Sequence, residues 1–518
     1  MVIIRQNGKA VSVPAEPGQA LYPLLASLGF AVDAPCGGRH KCHKCLVTVI
    51  GQVSPPTDAE RPFIEGTDKR LACFVTLQGG AEITLPDKRE MRIATHDAAI
   101  DAAYDASAED LGVAFDIGTT TCAAFLVSLK TKKTLAVTAA VNPQTAFGAD
   151  VITRISYCTD HTDGLGTLQA AILSACNTMI DTLLIDACAP KSAVKRISVA
   201  CNTVMAHLFH GLNPEGLASI PFTAESLFGD SRTAATLPLA VDTDVPVYTV
   251  PAIASYVGGD ITAGLLHVNA IGSEELLLFV DIGTNGEIAL GNKDGLICCA
   301  TAAGPAFEGA DITCGMPGIP GAIAHLSLED GNIRIETIGN LPPKGLCGSG
   351  LIDALALLLE LEIVDETGRL VDEDEVSGPY KSLLTKTDSG EAAVRIAEGV
   401  LLTAADIRKL QLAKAAISAG ISAALQTAGK TEADINTFYI AGGFGSFMKI
   451  ESAARIGLFP AALKDKVIVA GNTAASGACL CLAEDVALTC PDIAARCTYL
   501  ELSASPAFMD AYIENMMF

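Results

Sequence analysis

The sequence predicts a multidomain chain, α+β in its first part and α/β in the rest. Three observations carry this reading. Four cysteines gather early: Cys36, Cys42 and Cys45 lie within ten residues, and Cys73 follows after a gap of 27. An Asp-Ile-Gly-Thr turn between two apolar strands occurs twice, at Asp116 and again 165 residues on at Asp281. Between the cysteines and the first such turn, residues 94–110 are Ala- and Asp-rich with little apolar periodicity. The expected divisions are 1–87, a tether over 88–110, a first lobe over 111–270 and a second lobe over 271–518.

In the first unit, two short apolar runs flank Asn7-Gly8, a hairpin signal. Gln19 to Leu28 reads as a helix, and Cys45 to Ile50 as a strand leaving the cysteine loop. Arg70 to Leu77 reads as a further strand, and Ile83 to Leu85 closes the unit. Four thiolates at this spacing can hold an iron–sulfur cluster. The first gap of five residues departs by one from the plant-type C-x4-C-x2-C…C pattern. Zinc is one rival, although its sites usually use two close pairs and Cys73 has no close partner. A disulfide is the other. On these residues, 1–87 resembles a [2Fe–2S] ferredoxin of the β-grasp type. Gly37 and Gly38, lacking Cβ, would let the backbone approach the sulfurs.

Composition sets limits. The chain has 518 residues, is 50% hydrophobic and 18% charged, and has no tryptophan. That is enough for several cores. No uninterrupted apolar run of about 18 residues is present; the best, Leu351 to Val364, is broken by Asp353, Glu360 and Glu362. Without a signal peptide at Met1, the expected location is the cytoplasm, with no membrane association. Thiols stay reduced there, which favours metal ligation over disulfides. Net charge is −24, yet residues 1–88 hold nine Lys+Arg against eight Asp+Glu, so the remainder carries −25. Such an acidic body repels nucleic acid. Arg39, His40, Lys41, His43 and Lys44 ring the cysteine loop. They balance a cluster's charge and also offer a face to an acidic partner.

The body begins with Leu111 to Val127: strand, Asp116-Ile-Gly118-Thr119-Thr120-Thr121 turn, strand. Its amides and hydroxyls suit phosphate. Asp116 at the strand end can hold magnesium through water, since that ion takes one or two carboxylates plus phosphate oxygens. Leu276 to Leu290 repeats the arrangement with Asp281, Gly283, Thr284 and Asn285. Two copies imply a duplicated domain with nucleotide in the cleft between halves. Neither a Walker loop nor a dinucleotide glycine fingerprint is present. Phe438 to Ser446 is a strand running into Gly442, Gly443 and Gly445, where backbone can lie against a flat nucleoside. Asn202-Thr203 reads as a helix cap. Glu308 and Asp311 read as ordinary loop acids. Gly348-Ser349-Gly350 opens a helix as a ready anion site.

In this order the segments 111–127, 197–208, 276–290 and 438–447 resemble the actin, sugar-kinase and heat-shock-chaperone ATPases, which implies ribonuclease-H-like lobes and bound ATP. With the ferredoxin-like unit, nearly the whole chain resembles the ATP-dependent reductive activators of corrinoid proteins. The resemblance rests on the four cysteines, Asp116-Ile-Gly-Thr-Thr-Thr, Cys201-Asn-Thr-Val-Met, Val280-Asp-Ile-Gly-Thr-Asn-Gly-Glu, Gly304-Pro-Ala-Phe-Glu-Gly and Ala441-Gly-Gly-Phe-Gly. It implies one-electron reduction of a Co(II) corrinoid to Co(I) on a separate corrinoid protein. The cofactors would be a [2Fe–2S] cluster, ATP and Mg2+, with a low-potential donor such as reduced ferredoxin. An ATPase is useful if the electron must go uphill, because each ~59 mV costs a factor of ten. Longer relatives place an extra small domain after the tether. Its contacts do not carry over, so a homodimer is left open. Two alternatives stand: a small-molecule kinase with a redox-sensing cluster, and a nucleotide-gated regulatory module.

Overall fold

The structure, a computed structural model, describes the chain except residues 7–8, 29, 31, 33–37, 39, 41–42, 44, 65–67, 87–109, 377, 444 and 504. Cys36, Cys42, Gly37 and nearly all of the expected tether lie outside the described residues, as does the Asn7-Gly8 turn.

The first unit is a five-stranded mixed sheet. Its order is Lys9–Val13, Val2–Gln6, Leu77–Thr84, Leu46–Val53, Lys69–Leu71, with Val2–Gln6 and Leu77–Thr84 parallel. Val2, Ile4 and Gln6 face inward while Ile3 and Arg5 face out, the alternation of a half-buried strand. Helix Leu21–Ser27 covers the inner face, burying Leu21 and Leu25. The expected single strand over 70–77 is not formed. It breaks after Leu71 into a 3-10 turn, Ala72–Phe74, and pairing resumes at Leu77. The cause is Glu60, wholly buried, whose carboxylate takes a bidentate grip on Arg70 at 2.8 Å and accepts from the Leu71 amide at 2.9 Å. This pins the chain at Leu71 and turns Cys73 toward Cys45.

The body has two six-stranded sheets of matching design. In the first, Leu111–Ile117, Thr121–Ser128 and Thr134–Val141 form an antiparallel meander. Val194–Cys201 and then Pro246–Thr249 add parallel to it, and Ser231–Thr233 forms the edge. In the second, Leu277–Ile282, Gly286–Asn292 and Gly295–Thr301 form the meander. Thr437–Ala441 and then Val467–Gly471 add parallel, and Cys497–Tyr499 joins the far edge. The duplication read from two short turns therefore extends to five strands of each sheet, and the sixth strands lie on opposite edges. Leu111–Ile117 is buried on both faces except at Asp116, which explains its continuous apolar run.

Helix Gly164–Asp186 packs on the first sheet, burying Leu168, Ile172, Ile180 and Leu183. By length and composition it is the helix nearest to a membrane span, rather than Leu351 to Val364. Its buried stripe belongs to the lobe's core. The second lobe's core is built on Gly348–Glu360 and Ala404–Ala428, the latter started by a Thr403–Asp406 capping box and stopped by left-handed Gly429. The anion site expected at Gly348-Ser349-Gly350 is absent. A Cβ on Gly350 would lie 2.1 Å from the Ile323 carbonyl, and Ser349 donates to the Ala324 carbonyl at 2.9 Å. Those small residues serve close packing.

Candidate active site

Cys45 ends the cysteine loop and Cys73 sits in the 3-10 turn fixed by Glu60. Their sulfurs are 3.4 Å apart. Cys73 pulls the Cys45 thiol down to about 7; burial opposes this, and nearby backbone amides assist. Two converging thiols, one acidified, suit a metal–sulfur centre, because the thiolate is the ligating form. Phe74 meets His40 edge-on at 4.1 Å, and Phe63 stacks on His43 at 3.5 Å, so both loop histidines are held by aromatic rings. Gly38, at φ 79°, is closely packed. A Cβ there would lie 2.6 Å from the Tyr22 ring. Tyr22 in turn donates from its hydroxyl to the Ala146 carbonyl of the first lobe at 3.0 Å.

Both expected phosphate turns are closed by the glycine amide, across three residues in the first and two in the second. Gly118 donates to the Thr121 carbonyl at 2.9 Å, and Gly283 to the Asn285 carbonyl at 3.0 Å. The first turn is braced from behind. Asn142 donates through its side chain to the Gly118 carbonyl at 2.8 Å and through its backbone to the Thr120 carbonyl at 2.9 Å. Arg154, fully buried, donates to the carbonyls of Thr119 and Gly148. Asn202 caps its helix as expected, and its amide also donates to the Thr119 hydroxyl at 3.0 Å.

Asp116 and Asp281 stand at equivalent strand ends. Asp116 pairs in register with Ala123 across its hairpin, whereas Asp281 pairs with Glu287. Asp260, at the start of helix Gly259–His267, completes an acidic group. Burial raises Asp116 to about 6, against a 2.7 Å hydrogen bond from Asn472. Burial, then Asp260 and Asp116, raise Asp281 to about 8. Asp260 is raised to about 7, chiefly by burial, and Glu287 rises well above its ordinary range for the same reason. Repulsion among four carboxylates marks a place that wants a cation. Among the described residues no three of them are close enough to hold one ion directly.

The expected nucleoside glycines divide by role. Gly442, at φ 94°, is pressed onto the second turn: a Cβ would lie 2.8 Å from Asp281 Oδ1. Gly445 is bare against Ile440, and Gly443 faces open space. Glu308 is not an ordinary loop acid. It accepts from Thr284 at 3.0 Å and from Thr120 at 3.4 Å, joining the two turns. Asp260, Asn472, Asn142, Arg154 and Glu308 were not picked out as site residues from sequence. Signals existed for some of them: Asp260 follows Gly258-Gly259, and Glu308 is framed by Gly304-Pro305 and Gly309.

Fold and site together define a two-lobed ATPase of the actin-like class coupled to a ferredoxin-like domain. Residues 111–271 match the RACo middle region, and residues 275–518 match the C-terminal domain of RACo, described as the ASKHA domain. The chain is 34% identical over 417 residues to the corrinoid activation enzyme RamQ of Eubacterium limosum, covering 79% of this chain and 70% of that one. It is 25% identical over 393 residues to the [Co(II) methylated amine-specific corrinoid protein] reductase of Methanosarcina barkeri, covering 70% of this chain and 68% of the relative. A solved reductive activator for corrinoid, iron–sulfur protein superposes with a TM-score of 0.72 at 31% identity, covering 100% of this chain and 98% of that one. The chain belongs to the RACo family of corrinoid reductive activators.

Proposed function

We propose that this protein uses ATP to return a corrinoid protein from Co(II) to Co(I), delivering one electron from its N-terminal domain. The observation that carries the coupling is a continuous set of contacts from the cysteine loop to the first phosphate turn. Gly38 lies on Tyr22, Tyr22 bonds Ala146, and Asn142, which caps the turn Pro143–Ala146, bonds Gly118 and Thr120. A nucleotide shifts an equilibrium only through its differential affinity for two states. Contacts of this kind give the phosphate turn a means of sensing how the electron-carrying domain is seated.

Residues 1–87 carry the electron, 88–110 tether it, and 111–270 and 271–518 close on ATP. A [2Fe–2S] cluster held by Cys36, Cys42, Cys45 and Cys73 would supply a low-potential one-electron carrier. Thr119, Thr120, Thr284 and Asn285 contact phosphates, and Asp116 and Asp281 position magnesium from either side. The donor is a low-potential carrier such as reduced ferredoxin, and the setting is the cytoplasm, where thiols stay reduced.

The test is anaerobic. Iron and sulfide analysis should give two of each per chain, and cluster-loaded protein with reductant and Mg-ATP should convert a Co(II) corrinoid protein to Co(I), read by visible absorption. Zinc in place of iron, or no conversion, would sink the reading.

A further inference from the structure

Glu308 lies where the two phosphate turns converge, because each of its oxygens accepts from a threonine of a different lobe: Thr284 at 3.0 Å and Thr120 at 3.4 Å. Its mount is rigid. The turn Pro305–Glu308 is flanked by Gly304 and Gly309, both at φ 76°, and Ala306 and Phe307 are buried in the second lobe's core. A Cβ on Gly309 would lie 2.8 Å from the Met316 amide nitrogen, so the backbone there is closely packed and a side chain is excluded.

The other acids of the cleft are placed for different work. Asp116 and Asp281 stand at strand ends, Asp116 tied to Asn472. Glu287 faces Asp281 across the hairpin, and Asp260 begins a helix. Among the described residues, none of these four hydrogen-bonds a turn hydroxyl. Among the described acids, Glu308 alone accepts from hydroxyls of both turns.

We infer that Glu308 is the general base of ATP hydrolysis, held idle by Thr120 and Thr284 until bound phosphates take over those hydroxyls. This rests on the reading of the cleft as an ATPase. In the free protein both oxygens are occupied as acceptors. Once the threonines turn to phosphate, the carboxylate is free to accept from water. The water oxygen then bonds to the γ-phosphorus, and the bond from that phosphorus to the β–γ bridging oxygen breaks. ADP leaves with the electron pair, and the water's proton passes to Glu308 and on to the released phosphate. Burial already raises the Glu308 carboxyl, with Thr284 and Thr120 pulling the other way. Losing their hydrogen bonds makes it the stronger base.

The experiment uses the full, cluster-loaded chain, with Mg-ATP binding measured by equilibrium dialysis and phosphate release measured with the corrinoid partner present. Glu308→Gln should bind ATP within about threefold of wild type yet release phosphate at least about 100-fold more slowly, the usual scale of a lost general base. Glu308→Ala should be equally slow and should recover about tenfold or more with added formate, a rescue that a purely structural clamp would not show. Turnover by Glu308→Gln near the wild-type rate overturns the inference and leaves the ATPase reading intact. Loss of ATP binding in both variants, or no formate rescue, also overturns it and makes Glu308 a clamp alone. Wild-type protein that binds no ATP overturns the ATPase reading itself.

Discussion

Two regions of this molecule withdraw acid from solvent, wholly at Glu60 and partly at Asp116, Asp260 and Asp281, and they handle it in opposite ways. In the ferredoxin-like domain, Glu60 is closed off: Arg70 grips it with two nitrogens, the Leu71 amide adds a third bond, and Arg70 also donates to the Ser54 carbonyl. In the cleft, Asp116, Asp260, Asp281 and Glu287 crowd together with no basic side chain bonded to them among the described residues, and all four are raised. The closed pair fixes a turn. The open group keeps its carboxylates mutually repelling, as a proposed magnesium site would require. Pairing with a basic side chain separates the two groups.

The largest effect should come from opening the closed pair. Arg70→Met leaves Glu60 buried without its partner, which costs about 3–5 kcal/mol. It also frees the turn that carries Cys73. The expected result is a large drop in the first domain's midpoint, measured by denaturant titration, with loss of iron. Adding Glu60→Leu to Arg70→Met should restore much of the stability, because an apolar pair can replace a buried ion pair. An Arg70→Met chain that keeps its iron and its midpoint would break the comparison.

A smaller effect, of opposite sense, is expected in the cleft. Asp116, Asp260 and Asp281 hold protons in the metal-free fold that an unfolded chain has already released at its ordinary carboxylate values. The native state therefore binds more protons between about pH 4 and pH 8, and stability falls as pH rises through that window. Metal-free protein should melt at a lower temperature at pH 8 than at pH 5.5. Magnesium with ATP should raise the melting temperature more at pH 8, where the acids are charged. Asp281→Asn should flatten the profile. A melting temperature that rises from pH 5.5 to pH 8 without metal would contradict this account.

What the sequence revealed follows from what is local in it. The cysteine spacing and the repeated Asp-Ile-Gly-Thr turns are short patterns, and they lead to the regions where the structure brings Cys45 to Cys73 and gathers the cleft carboxylates. The contacts that make the site work join distant residues. Glu308 and Thr120 are 188 residues apart, and Asn472 and Asp116 are 356 apart. No spacing rule reaches that far; only closure of the lobes brings them together. The misread strand over 70–77 has the same cause. Its apolar run hides a break imposed by Glu60, ten residues upstream of Arg70. At the anion site expected around Gly348, Gly350 instead admits the neighbouring strand at Ile323, which cannot be told from ligand space without the fold.

Nucleotide in the cleft is expected to govern electron delivery from the cysteine centre. The most direct measurement of this is the Co(I) yield from a Co(II) corrinoid protein under strong reductant, taken side by side with Mg-ATP, with Mg-ADP and without nucleotide. Asp116→Ala with Mg-ATP is run as a fourth arm. The account predicts substantial Co(I) with Mg-ATP in the wild type and little in the other three arms, with the cluster spectrum of Asp116→Ala unchanged. Equal Co(I) in all four arms would contradict it, leaving the ATPase unconnected to the electron.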